Sequence, residues 1–186
     1  METLIRELLI KLGEDPKREG LERTPMRVAR TYHEFTKGYH EDPEPLFRNL
    51  MPIDASSDLV LLRDLNFISL CEHHLMPFFG KCHIAYLPQK KIIGFSKLVD
   101  LISIFSRRLQ IQERLTKQIA SSIHEHLDPL GIMVVMEAIH LCMFMERPDM
   151  QNTRIITTSY LGEPIHQPKL SQFALESLHP ESFGKK

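Results

Sequence analysis

The order of elements along this chain predicts an α+β fold: a four-stranded antiparallel sheet with two helices on one face, preceded by N-terminal helices. Three observations carry it. Two β-like runs come first, then two helical patterns back to back, then two more β-like runs, so the strict βαβα alternation of a parallel sheet is missing. The central helical patterns are each apolar along a single stripe. A length of 186 residues with 42% hydrophobic content fits one domain with one core.

Leu4, Ile5, Leu8, Leu9 and Leu12 recur at helical spacing, and Gly13 is placed to end that helix. Glu14-Asp15-Pro16 reads as a turn. Thr24-Pro25 reads as N-cap and first residue of a second helix, which carries Met26, Val28, Ala29, Tyr32 and Phe35 before Gly38 stops it. From Glu41 to Asp58, prolines and acids without periodicity predict a loop. Residues 59–70 and 80–87 then form an expected antiparallel pair, the second alternating around His83, Ala85 and Leu87. Ser96 is placed to cap a helix reaching about Arg107, with Leu98, Leu101, Ile102 and Phe105 inward. The next helix runs from Ile111 to about Leu127 with Leu115, Ile119, Ala120 and Ile123 on its apolar side, and Pro129 and Gly131 break it. Ile132 to Met145 predicts a strongly apolar strand, and Thr153 to Leu161 its hairpin partner. The tail from Pro164 is polar and proline-bearing and is expected at the surface.

Composition removes several function classes. A formal net charge of −1 gives no electrostatic reason to expect nucleic acid or an anionic membrane as partner. Three cysteines, at spacings that suggest no disulfide framework, fit a reducing compartment and leave thiols free for metal. The amphipathic start Glu2-Thr3-Leu4-Ile5-Arg6 lacks the apolar core of a signal peptide, and no run approaches a membrane span. The expectation is a soluble, cytoplasmic protein.

The chemistry sits in two short pieces, Cys71-Glu72-His73-His74 and His140-Leu141-Cys142. Cys71 and His74 are three apart, so one turn can deliver a thiolate and an imidazole to one metal. Cys142 can close the set from a distant strand, leaving a fourth position for exchangeable water, the arrangement of catalytic zinc. His73 and His140 would flank that water as proton donors or acceptors. Each half alone is commonplace, because buried cysteine serves as a small hydrophobe and histidine often satisfies a core hydrogen bond. It is their combination that points to a hydrolytic Zn2+ site. His124-Glu125-His126 reads as a solvated helix end, since alternate helical positions face different ways, and Cys82 as packing.

Further blocks appear in a fixed order: Glu14-Asp15-Pro16, Arg18-Glu19-Gly20-Leu21, Thr24-Pro25-x-Arg27-Val28-Ala29, Cys71-Glu72-His73-His74-Leu75-x-Pro77-Phe78, and His83-Ile84-Ala85-Tyr86-x-Pro88. They continue with Gly94-Phe95-Ser96-Lys97, Arg108-Leu109-Gln110-x-Gln112-Glu113-Arg114-Leu115-Thr116, and Glu137-Ala138-x-His140-x-Cys142-Met143. Over nearly the whole chain short of the tail, this resembles the GTP cyclohydrolase I family. The resemblance implies a tunnelling fold, a ring-shaped homodecamer of two pentamers with active sites between subunits, and conversion of GTP to 7,8-dihydroneopterin triphosphate with C8 lost as formate. It implies Cys71, His74 and Cys142 as zinc ligands, and His140 and His73 as proton-transfer groups. By the same resemblance Glu113 reads guanine, Gln112 and the backbone around it complete the base pocket, and Ser96 and Lys97 lie near ribose and phosphates. The chain then divides into a helical segment and loop (1–50), a tunnelling-fold catalytic domain (51–163) and the polar tail (164–186).

Two positions depart from the family pattern. Asp100 stands where the family usually has arginine three residues after the lysine, and Glu146 where it has arginine four residues after the second zinc cysteine. Both arginines would grip phosphate, and a unit charge at contact distance amounts to on the order of 4 kcal/mol at an effective dielectric near 20. Arg147, one residue along, could turn inward in compensation, and Lys90, Lys91, Arg107 and Arg108 are further cations for the pocket mouth. Asp100 can also simply complement the helix dipole or pair with Lys97. The alternative is the same ring-opening chemistry on a less phosphorylated guanine nucleoside or nucleotide, or another modified purine. A third reading, a non-catalytic regulatory ring subunit, sits poorly with retention of every hydrolytic residue. A reductase of the same fold is disfavoured by the zinc triad.

Overall fold

The computed structural model describes residues 1–53, 58–150, 153–163 and 167–177. Helix α1 (Glu2–Lys11) ends at Leu12 and Gly13, whose φ of +88° is the left-handed stop that glycine adopts without cost. Helix α2 (Thr24–Thr36) has Pro25 in its first turn, with Arg23 rather than Thr24 as the capping residue. The short 3-10 turn at Lys37–His40 brings Gly38 against the rest of the domain. A Cβ there would lie 2.1 Å from the Ile104 carbonyl oxygen, so no larger residue permits this close approach.

The expected loop from residue 41 carries a second 3-10 turn at Glu44–Phe47 and a two-residue strand, β1 (Met51–Pro52). Phe47 is buried and stacks on His126, which answers for part of the His-x-His pair. Strands β2 (Val60–Cys71) and β3 (Pro77–Leu87) form the long antiparallel hairpin. β4 (Lys91–Ile92) pairs with β1 outside the main sheet. Helix α3 (Phe95–Ser106) begins after Gly94, so Ser96 lies inside its first turn and does not cap it. β5 (Leu109–Gln110) runs parallel to the end of β2, and α4 (Gln112–Leu127) follows at once. β6 (Gly131–His140) pairs with β3, and β7 (Ile155–Gly162) pairs with β6. The sheet order is β5-β2-β3-β6-β7, antiparallel except for the two-residue β5.

One correction bears directly on the chemistry. The apolar strand expected to reach Met145 stops at His140, and Leu141–Glu146 is a short helix, α5. The change follows from composition. β-Branched residues end at Ile139, and Leu-Cys-Met-Phe-Met-Glu is a run of mostly strong helix formers closed off by Pro148.

Strand periodicity sends Phe78, Cys82, Ile84 and Tyr86 of β3, with Ile132, Val134, Met136 and Ala138 of β6, to one face. Leu98, Leu101, Ile102 and Phe105 of α3 and Leu115, Ile119 and Ile123 of α4 pack against them. Cys82 is fully buried in that layer, as its packing role requires. The opposite face shows Ala85, Met133 and Val135, and it is covered too. Residues of the expected surface tail form α6 (Gln167–Ser177), whose Leu170 and Phe173 lie three apart and are buried on that face. Each such burial contributes about 1.5–3 kcal/mol, which outweighs the polarity of the surrounding tail. Residues 164–166 and 178–186 of the tail lie outside the described residues.

His83 is buried on this second face, and its Nδ1 accepts the amide of Asp64 at 3.2 Å. That amide belongs to a bulge between Leu62 and Leu65, where Asp64 adopts φ 60°. Burial holds the His83 imidazole below its ordinary pKa, against the opposing pull of the Asp64 carboxylate. The unfolded chain therefore takes up this proton near pH ~6.5, and the folded chain only at lower pH. Stability from this group is complete above about 6.5 and is lost as pH falls through the folded pKa. Urea denaturation of chelator-treated protein should show falling stability from pH ~7 to ~5, with a shallower fall in His83→Gln. An identical fall in both proteins would remove His83 as a source.

Candidate metal centre and active site

The hairpin between β2 and β3 is built to fold one histidine back over a cysteine. The Cys71 N–H donates to the Met76 carbonyl and the Leu75 N–H to the Cys71 carbonyl, both at 2.8 Å. Leu75 takes the left-handed conformation (φ 55°), which lets four residues close the loop without a glycine. His74 Nδ1 then lies 3.8 Å from Cys71 Sγ. Cys142 arrives from the first turn of α5, and the ligand atoms of Cys71, His74 and Cys142 all lie within 4.8 Å of one another. Both cysteines are buried and free of disulfides. Burial, then the neighbouring Cys71, pushes the Cys142 thiol upward. Adjacent thiols oppose each other's ionisation, and a cation between them removes that penalty. Two sulfur donors and an imidazole are thus a donor set able to hold a metal ion.

Beside this group stands His140, the last residue of β6, stacked on Phe78 with ring centroids 4.5 Å apart. Its Nε2 lies 2.9 Å from Gln112 Oε1. The orientation of that amide is fixed from behind: Gln112 Nε2 donates to the carbonyls of Met136 (3.0 Å) and Ile155 (2.9 Å), so Oε1 must face the imidazole. His140 accordingly carries its proton on Nε2, donates it to Gln112, and keeps Nδ1 as an acceptor. Burial holds the His140 imidazole below its ordinary pKa, and the Glu113 carboxylate acts in the opposite sense. Glu113, exposed in the first turn of α4, is thereby within electrostatic reach of His140. His73 lies on the open side of the turn with Nδ1 3.8 Å from Cys71 Sγ.

Gln112, expected to help form a base pocket, has a buried side chain bonded to His140, to the Met136 and Ile155 carbonyls and to the Thr157 hydroxyl. Two other features were missed from sequence. Glu72, quoted only within the Cys-Glu-His-His piece, forms an ion pair with Arg114, which also donates to the Gln110 side chain and the Leu109 carbonyl. Phe78 was quoted as part of a motif but not as the ring that backs His140. No pattern in the sequence singles out either contact, because both partners come from different elements.

The phosphate-side candidates are placed as follows. Ser96, Lys97 and Asp100 are exposed on the first turns of α3, with Lys97 Nζ 3.5 Å from Asp100. Among the described residues no hydrogen bond, ion pair or ring contact joins them to the Cys–His–Cys group. Arg147 does not turn inward to stand in for the missing arginine; its guanidinium holds Asp149 through two bonds of 3.0 and 2.8 Å. Glu146 points at the metal group instead, with Oε1 3.2 Å from His74 Nε2.

The family profile described as GTP cyclohydrolase I matches residues 1–179. The chain belongs to the GTP cyclohydrolase I family. "GTP cyclohydrolase 1" of Leptospira biflexa is 51% identical over 87% of this chain and 88% of its own length. Proteins of that name from Parabacteroides distasonis and Methylococcus capsulatus are 51% and 48% identical, over 84% and 87% of this chain and 81% and 88% of theirs. A solved structure, the apo form of the archaeosine synthase QueF-Like, aligns with TM-score 0.48 and 13% identity over 59% of this chain and 98% of that one. Cys71, His74 and Cys142 form one group of ligand atoms, and His140, two residues before Cys142, is bonded to Gln112.

Proposed function

We propose that the chain is a metal-dependent cyclohydrolase that opens the imidazole ring of GTP, releases C8 as formate and yields 7,8-dihydroneopterin triphosphate. The observation that carries this reading is the convergence of Cys71, His74 and Cys142 beside His140, in a chain about half identical to proteins named GTP cyclohydrolase 1. Cys71, His74 and Cys142 would hold the ion, and their sulfur-rich set favours zinc. When bound, such an ion supplies Lewis acidity that makes a water-derived nucleophile available near neutral pH. His140, anchored through Nε2, uses the free Nδ1 to take up and return a proton at the purine. His73, exposed and adjacent, is the second proton-transfer group. Glu113 accepts from the guanine ring N–H and the exocyclic amine, next to His140. Lys97 and Ser96 face the ribose and phosphates.

The tunnelling fold is supported by the four long antiparallel strands with α3 and α4 on one face. A homodecamer with sites between subunits is supported by Leu4, Leu8, Ile10 and Leu12 of the α1 region, all exposed in the single chain. A cytoplasmic location suits three free thiols, two of them ligands.

Relatives near half identity favour GTP over a less phosphorylated substrate, even with acids at positions 100 and 146. Turnover of GTP, GMP and guanosine by the zinc-loaded protein, followed by formate release and pterin fluorescence, tests this directly. GTP should be preferred by at least about tenfold in kcat/KM, a difference of roughly 1.4 kcal/mol. Equal or better use of guanosine would overturn the triphosphate requirement, and absence of formate from all three would overturn the activity.

A further inference from the structure

We propose that Glu146 is a positioning residue of the metal centre: its carboxylate holds the His74 nitrogen turned away from Cys71, fixing which nitrogen would be presented to an ion. The two nitrogens of His74 face different partners. Nδ1 looks toward Cys71 Sγ at 3.8 Å, and Nε2 toward Glu146 Oε1 at 3.2 Å. A carboxylate accepts but cannot donate, so Nε2 must carry the hydrogen, and the lone pair is left on Nδ1. Nδ1 is the nitrogen that faces the Cys71 sulfur. An acid behind a ligating histidine both orients the ring and raises its donor strength.

The short helix α5 is what makes this possible. Cys142 and Glu146 are four residues apart on it, so they lie on one face. One six-residue helix thereby delivers a metal ligand and the carboxylate that steadies another ligand. A strand through Met145 would have separated them by more than a dozen ångströms at the usual rise per residue. The carboxylate at 146 therefore has a definite occupation in this chain. Its neighbour supplies the internal contrast, since Arg147 points away and is bound to Asp149.

This inference rests on the metal centre proposed above, and the test separates the two. Zinc affinity of the whole protein would be measured by competition with a chromophoric chelator for wild type, Glu146→Ala, Glu146→Arg and Arg147→Ala. Glu146 is largely exposed at a helix end, so its replacement leaves the core intact; an unchanged far-ultraviolet circular dichroism spectrum verifies that. Both Glu146 variants should bind zinc about 10–100-fold more weakly. Arg147→Ala should bind as wild type or slightly more tightly, because removing a cation can only favour another cation. Equal affinity in wild type and both Glu146 variants would overturn the role of Glu146 while leaving the centre standing. Failure of wild type to take up stoichiometric zinc would overturn both.

Discussion

Cys142→Ala should abolish stoichiometric metal binding and lower turnover by well over two orders of magnitude, with the fold kept. The reasoning is comparative. Losing a residue behind a ligand commonly costs 10–100-fold in affinity or activity, and losing a ligand itself must exceed that. Cys142 is the better choice than Cys71 because of what else each holds. The backbone of Cys71 closes the β2–β3 turn and pairs with Gln110 of β5, while Cys142 sits on a short helix whose own turn remains if the sulfur goes. Removing a buried sulfur leaves a small cavity and costs on the order of 1–2 kcal/mol. Metal content by elemental analysis, chelator-treated melting temperature and formate release separate the chemical loss from the structural one. Full metal occupancy in this variant would exclude Cys142 as a ligand.

Gln112→Leu should be the most damaging single change that touches neither a metal ligand nor an exposed group. The leucine matches the shape but takes a donor from the buried Met136 carbonyl and the part-buried Ile155 carbonyl, and the acceptor from the part-buried His140 Nε2–H. Each unpaired group costs roughly 1–3 kcal/mol, so a loss of several kcal/mol and a large drop in Tm are expected. Gln112→Glu provides a distinct readout. It still accepts from His140 but cannot donate to the two carbonyls, and its charge raises the proton affinity of the imidazole. His140 starts below its ordinary value because of burial, so the acidic limb of kcat should move to higher pH in this variant. An unchanged limb in a folded Gln112→Glu protein would show that Gln112 does not act through His140.

Much of this was legible in the sequence because the relevant patterns are local. Apolar stripes placed α3 and α4, and alternation placed β3, to within a few residues, while the apolar run at Ile132 gave the start of β6 but not its end. The Cys-x-x-His spacing does bring Cys71 and His74 side by side, since a tight turn depends on neighbours alone. The other half, expected on a strand, lies on a helix, because Leu-Cys-Met-Phe-Met is apolar but carries no β-branched residue. The role of Gln112 was hidden for another reason. Its partners, Met136, Ile155 and His140, lie on strands far along the chain, and only tertiary packing brings them to one amide. The same holds for α6, where two apolar residues in a polar tail have meaning only against the uncovered face of a sheet. Glu146 was noticed as a charge of the wrong sign, but its contact with His74 depends on the helix that was read as a strand.

The two-residue strand β5 is the smallest element of the main sheet, yet it decides how events at one end of the site are felt at the other. It pairs Leu109 and Gln110 with Leu70 and Cys71, while the Glu72 amide donates to the Gln110 carbonyl. The next residues after Ile111 are Gln112 and Glu113. The strand that carries Cys71 and the start of α4 are thus riveted together by main-chain bonds rather than joined through a pliable linker. Seating an ion on Cys71 would stiffen the start of α4 in the same act. Amide exchange at Glu72 and Gln110 should then slow together on metal uptake, so two backbone protons can serve as a gauge of whether the catalytic floor has set.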